Sequence, residues 1–179
     1  MMNKIIVALG LLFLVSCGKD QKPNPPQNTS KETKLEITKK KNKTDDKTNV
    51  VVDAKGVANV AITSNDGMRF DVRKINVSSG QKVRVTLTHT GKLDKRIMGH
   101  NVVFLKNGVK PSAFAVKAAA SKNNDYIPEG TIEVIAHTKM IGGGESTVIE
   151  FVAPEAGTYT YICSFPGHYA MMKGKLIVE

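Results

Sequence analysis

The chain has 179 residues, 41% hydrophobic and 23% charged, with four histidines, two cysteines and no tryptophan. Its formal net charge is +10, yet no run of lysine and arginine is interleaved with aromatic residues, which excludes a nucleic-acid reader. Two cysteines are too few for a disulfide-stapled scaffold, so a packed core must hold the fold.

Residues 1–17 carry Lys4, then an apolar run from 5 to 15, and end in Leu14-Val15-Ser16-Cys17. An apolar segment too short to span a bilayer comfortably, with small residues just before a cysteine, resembles a bacterial lipoprotein signal. The resemblance implies cleavage before Cys17 and acylation of that residue. The product is exported and lipid-anchored to a bacterial membrane, on its periplasmic or cell-surface face. With Cys17 acylated, the mature chain keeps one thiol and has no internal disulfide.

Residues 18–49 contain Pro23, Pro25 and Pro26, many Lys, Asn, Thr and Asp, and few large apolar side chains beyond Leu35 and Ile37. Such a segment cannot bury enough surface to offset its ordering entropy, which predicts a flexible, solvated linker. At about 5–6 Å times the square root of its length, it sets the following domain on the order of 30 Å from the anchor. The leader contributes +1 and the linker +4, while residues 50–179 hold 16 basic and 11 acidic side chains, a domain charge of +5.

From residue 50 to 179 the pattern changes to short alternating runs. Strands are predicted over 57–62, 68–77, 82–89, 98–105, 131–137, 147–152, 158–163 and 175–178. Val83, Val85 and Leu87 alternate with Arg84, Thr86 and Thr88, one face to a core and one to water. Asn65-Asp66-Gly67, Ser79-Gly80, Gly142-Gly143-Gly144 and Pro154-Glu155-Ala156-Gly157 mark turns between runs. The alanine-rich stretch 111–121 begins with Pro111, which suits a first helical turn. About eight strands and one short helix in a single domain predict an all-β Greek-key β-sandwich.

The chemistry concentrates near the C-terminus, in Cys163-Ser164-Phe165-Pro166-Gly167-His168 and, four residues beyond the histidine, Met172. A thiolate, an imidazole and a thioether on one loop select copper over cations that prefer oxygen ligands. A second imidazole is needed, and the best candidate is His100 in Met98-Gly99-His100-Asn101, which opens the apolar run 102–105. Two imidazoles and a thiolate in a plane, with a distant methionine sulfur above it, make a trigonal electron-transfer copper site. Met171 and Met172 are adjacent and point in different directions, so only one can be axial.

Met98-Gly99-His100-Asn101, Val134-Ile135-Ala136-His137-Thr138-Lys139 with the glycines that follow, and the 163–174 loop occur in this order. Together they resemble the azurins, a family of bacterial blue-copper cupredoxins, from about residue 58 to 179. The resemblance implies a cupredoxin-like sandwich that holds one copper per domain. Its implied ligands are His100, Cys163 and His168, with Met172 axial and the Gly99 carbonyl a weak contact on the opposite side. It also implies that Asn101 bonds around the cysteine sulfur, and that His89 lies near the copper without binding it, partly buried. His137 corresponds to an exposed histidine. The sequence departs from the family in lacking its disulfide, in having Val102 where a tryptophan usually follows Gly-His-Asn, and in its leader and linker. No first ligand is affected.

The implied activity is one-electron transfer between Cu(II) and Cu(I), with redox proteins as donor and acceptor and no substrate transformed. Electrons would pass through His168, at an apolar patch of Met98, Phe165, Pro166, Ala170 and Met171 that is expected to leave an imidazole edge at the surface. A copper-handling or storage lipoprotein would use the same donors, but would be expected to show more exposed Met or His clusters. A copper enzyme would need a second centre that four histidines do not supply.

Overall fold

The computed structural model describes residues 50–179, so the expected leader with Cys17 and the expected linker lie outside the described residues. The described residues contain strands β1 (Val50–Val52), β2 (Ala58–Asn65), β3 (Arg69–Phe70), β4 (Lys74–Val77) and β5 (Lys82–His89). A helical turn α1 (Lys95–Met98), strand β6 (Val103–Leu105) and helix α2 (Pro111–Ala119) follow. The last strands are β7 (Val134–His137), β8 (Ser146–Val152), β9 (Gly157–Ile162) and β10 (Lys173–Val178). One sheet runs β1-β2-β5-β8 with β3 paired to β2, and the other runs β4-β10-β9-β6-β7. The domain is an all-β sandwich, as the alternation predicts.

The core follows from that alternation. In β2, Ala58, Val60, Ile62 and Ser64 are buried, and in β5 so are Val83, Val85, Leu87 and His89. The two strands pair in parallel, Ala58 opposite Val83 through Ser64 opposite His89. Each fully covered Val or Leu stabilises the fold by about 1.5–3 kcal/mol relative to exposure. The inward row therefore begins apolar and ends polar, at Ser64 and His89, which lie against His100.

Strand β6 is buried on both faces. Phe104 packs in the main core, while Val103 and Leu105 join Phe114 and Ala118 of α2, Ile127 and Ile162 in a second cluster. This double burial explains why 102–105 reads as an unbroken apolar run rather than an alternating one.

Two expected strands are interrupted; the division of 68–77 into β3 and β4, together with the unexpected β1, brings the total among the described residues to ten. The 68–77 run divides because β3 pairs with β2 in one sheet and β4 with β10 in the other, so Asp71, Val72 and Arg73 cross between sheets. The 98–105 run divides because Met98 closes the turn α1, whose N-cap Asp94 accepts a bond from the Arg96 amide at 2.8 Å. His100 makes only an isolated bridge to Ile141. The 131–137 strand starts at Val134, and the expected helix at Pro111 is α2.

Candidate metal centre

Cys163 directly follows β9, and Met172 directly precedes β10. Lys173 pairs with Ile162, and the Cys163 amide donates to the Met172 carbonyl at 2.9 Å, so loop 163–172 is closed at its neck. Within it, Gly167 takes a φ of 84°, a left-handed conformation that glycine adopts without a Cβ penalty. The chain then turns at His168–Ala170, where the amides of Met171 and Met172 both donate to the His168 carbonyl at 3.0 and 2.8 Å. This winding buries Cys163 and Met172 and leaves His168 only 4% exposed. The Cys163 Sγ lies 3.7 Å from His168 Nδ1 and 3.8 Å from the Gly99 carbonyl oxygen.

That sulfur–nitrogen separation has a simple meaning. Bonds of about 2.3 Å to sulfur and 2.0 Å to imidazole, opened to a trigonal angle, place the two atoms about 3.7 Å apart. The pair thus stands at the spacing of two ligands on one transition-metal ion.

His100 enters from the other side. Its backbone is pinned to Ile141 by reciprocal bonds of 2.9 Å. A side chain at Gly99 could not be accommodated, since a Cβ there would lie 2.5 Å from the Lys95 carbonyl oxygen and 2.8 Å from Met140 Sδ. The His100 ring stacks on His89, with centroids 4.2 Å apart and planes at 6°, and meets the His168 ring at 5.3 Å and 63°. Its Nδ1 lies 2.9 Å from Ser64 Oγ, while its buried Nε2 has no hydrogen-bond partner. Among the described residues no three His, Cys, Asp or Glu side chains form a closed cluster. Cys163 and His168 stand at chelating distance, with His100 beside them turned to Ser64.

Burial sets the protonation states. It pushes the His100 and His168 imidazoles down to about 3 and about 4, so both are neutral at pH 7 and each offers a lone pair. Burial also pushes the Cys163 thiol up to about 12, so the thiolate forms only when a cation replaces its proton. Two neutral imidazoles, a thiol and a buried thioether, with one imidazole nitrogen orphaned, suit a soft transition-metal ion.

Asn101 fastens the two sides together. Its Oδ1 accepts from the Ser164 amide at 2.9 Å, and its Nδ2 donates to Ser164 Oγ at 2.8 Å and to the Asp125 carbonyl at 3.0 Å. The next residue is also held, because the Val102 amide donates to Thr138 Oγ1 at 2.9 Å and its carbonyl accepts from the Thr138 amide. Sequence reasoning missed Ser64, Ser164 and Thr138 as members of this network. Ser64 had a usable signal, since it extends the inward row of Ala58, Val60 and Ile62.

His89 is fully buried, not partly so. The Gly91 amide donates to its Nδ1 at 3.0 Å, which leaves the proton on Nε2, donated to the Met98 carbonyl at 3.0 Å. Both ring nitrogens are therefore satisfied by backbone. His137 is exposed, as expected. Around His168, Pro166, Ala170 and Met171 are exposed and Met98 and Phe165 half-buried. The Phe165 ring, 4.6 Å from that of His168, lies against it, so the imidazole is more covered than the sequence suggests.

Residues 56–179 match the copper binding proteins of the plastocyanin/azurin family. The chain belongs to that family. It is 46% identical over 121 residues to Azurin-1 of Alcaligenes xylosoxydans xylosoxydans, covering 65% of this chain and 94% of that protein. Among solved structures, auracyanin A, a "blue" copper protein from the green thermophilic photosynthetic bacterium Chloroflexus aurantiacus, superposes with a TM-score of 0.64 at 31% identity. That match covers 69% of this chain and all of the auracyanin. The azurin Az-iso2 of Methylomonas sp. strain J superposes with a TM-score of 0.62 at 36% identity, covering 68% of this chain and 97% of its own. As a member of this family the domain is a blue-copper electron carrier with copper as its cofactor.

Proposed function

We propose that His100, Cys163, His168 and Met172 would hold the copper, with the Gly99 carbonyl as a weaker contact. The observation that carries this reading is the Cys163 Sγ to His168 Nδ1 separation of 3.7 Å beside the unpartnered Nε2 of buried His100. Copper, when bound, supplies a Cu(II)/Cu(I) couple for the gain and loss of one electron. The protein's part is to keep both imidazoles neutral, give up the Cys163 proton, exclude water, and hold the donors in place in both oxidation states. Asn101 positions the cysteine end through Ser164, and the Gly99 backbone keeps its carbonyl close to the sulfur.

In this reading electrons enter and leave past His168, through the apolar rim of Met98, Phe165, Pro166, Ala170 and Met171, where a redox protein docks. No substrate is transformed. Residues 1–17 act as the export signal, lipid on Cys17 tethers the chain to a membrane, and residues 18–49 give the 50–179 domain its reach. No helix among the described residues is long and apolar enough to cross a membrane.

Titration of the domain with Cu(II) tests the site. An intense blue thiolate-to-copper absorption that bleaches on reduction is expected, and a colourless complex would refute the ligand assignment. A Cys17→Ala chain that still carried lipid would refute the anchor.

A further inference from the structure

The wall of the metal centre has an outer side. A hollow of about 250 Å³ opens there, lined by Lys95, Arg96, Lys122, Asp125, Tyr126 and Met140 among others. Three of these residues connect it directly to the site. Met140 packs against Gly99, the Asp125 carbonyl accepts from Asn101 Nδ2, and the Tyr126 ring meets Phe165 edge-on at 5.3 Å. The hollow therefore adjoins the rim that covers His168, through the contact of Tyr126 with Phe165.

Its charges are unbalanced. Arg96 is met by Asp94 at 2.8 Å, and Asp125 is the single carboxylate in the lining, whereas Lys95 and Lys122 have no ion pair among the described residues. Lys92 and Lys139, on the neighbouring loops, also lack one. The other acids near the site are engaged with backbone: Asp66 with the Lys92 and Leu93 amides, and Glu145 with the Gly142 amide. An apolar rim beside unpaired lysines complements a partner surface that is apolar at its centre and acidic at its edge.

We propose that the hollow walled by Lys95, Lys122, Tyr126 and Met140 receives a carboxylate of an acidic redox protein while that protein rests on the apolar rim. The proposal extends the electron-carrier reading above by naming the partner's chemistry. The lysines accelerate encounter and set orientation, and the rim provides the close contact across which one electron passes. The carboxylate itself exchanges neither electron nor proton.

Two measurements test it. The first is the oxidation of the reduced, copper-loaded domain by hexacyanoferrate(III), in which the domain gives one electron and iron(III) becomes iron(II). It compares the native domain with Lys95→Gln/Lys122→Gln and with Lys106→Gln/Lys110→Gln, a pair of equal charge change beyond the far end of β6. At an ionic strength of about 0.01 M, where charges act over about 30 Å, the first pair is expected to slow the reaction about three- to tenfold. The second pair should have a much smaller effect, and the difference should vanish near 1 M salt. Equal slowing by both pairs, or by neither, overturns the proposal.

The second measurement is an amide-shift titration of the metal-free domain with hexaglutamate. Shifts confined to Lys95, Lys122, Tyr126 and their neighbours support the site, and shifts spread evenly over the surface oppose it. A response of these amides to phosphatidylserine vesicles but not to hexaglutamate would make the occupant a lipid headgroup and overturn the partner assignment. A colourless copper complex would refute the ligand assignment, while the peptide titration would still decide the hollow.

Discussion

His100 is held by groups from several strands and loops, whereas Cys163, His168 and Met172 ride on one loop that closes on itself. The His100 side is a polar annex to the sandwich. Ser64 of β2, His89 of β5, the backbone of Ile141 and the Asn101–Ser164 contact surround it, each placed by long-range pairing. The 163–172 loop is local. Its neck bond and the two bonds to the His168 carbonyl bring its three donors together within ten residues. A change on the first side should propagate into fold stability, and a change on the second mainly into the metal.

The largest expected effect is on the loop. Cys163→Ser should abolish the blue absorption while leaving the far-ultraviolet circular dichroism of the domain in place. If the serine variant stayed blue, the sulfur would have to come from elsewhere.

Next comes the joint between the two sides. Asn101→Ala leaves the buried Ser164 amide and the Asp125 carbonyl without their partner, at a cost of about 1–3 kcal/mol for each group stranded from water. Urea unfolding of the metal-free variant should register this loss. An unchanged midpoint would mean that the two sides are joined by packing alone.

Acid offers a third test, and it acts on both sides. The folded domain keeps His100 and His168 neutral far below the ordinary histidine value of 6.5, to about 3 and about 4. As pH falls below 6.5, the unfolded chain takes up protons that the folded chain does not. Stability contributed by the neutral rings is thus fully present above 6.5 and drains away as pH drops toward 4 and then 3. Each ring steepens the decline by up to about 1.4 kcal/mol per pH unit. Urea midpoints of the metal-free domain at pH 7 and pH 5 should therefore diverge, and His168→Gln should narrow the gap.

Smaller effects are expected at Met172 and at the surface. Met172→Ala should retain copper and colour with an altered reduction potential, measured by redox titration. His137→Ala should leave spectrum and potential unchanged, since that imidazole is exposed at the end of β7.

The same division explains what the sequence could disclose. The 163–172 loop was legible because its donors are close in the chain and chemically distinctive. The alternation of β2 and β5 was legible because period-2 burial is written in residue type. His100 needed its neighbours Gly99 and Asn101 to stand out, since a single histidine at the head of an apolar run has many structural uses. Ser64, Ser164 and Thr138 carry no distinctive chemistry, and their roles arise only when the sheets bring them beside His100, Asn101 and Val102. The breaks at 71–73 and 99–102 were hidden for a related reason. Which sheet a strand joins is settled by partners distant in sequence, such as β10 for β4.

The burial of Cys163 also bears on how the protein is made. It is the one free thiol among the described residues, and it is wholly enclosed. In an oxidising compartment an unfolded chain presents that sulfur to peroxide and to other thiols, whereas the closed sandwich shields it before any metal arrives. The folded, metal-free domain is in this sense a protected form of its own thiol. In such a compartment, maturation would be a race between closure of the sandwich and oxidation of a single sulfur, and slow-folding variants would accumulate as colourless, oxidised protein.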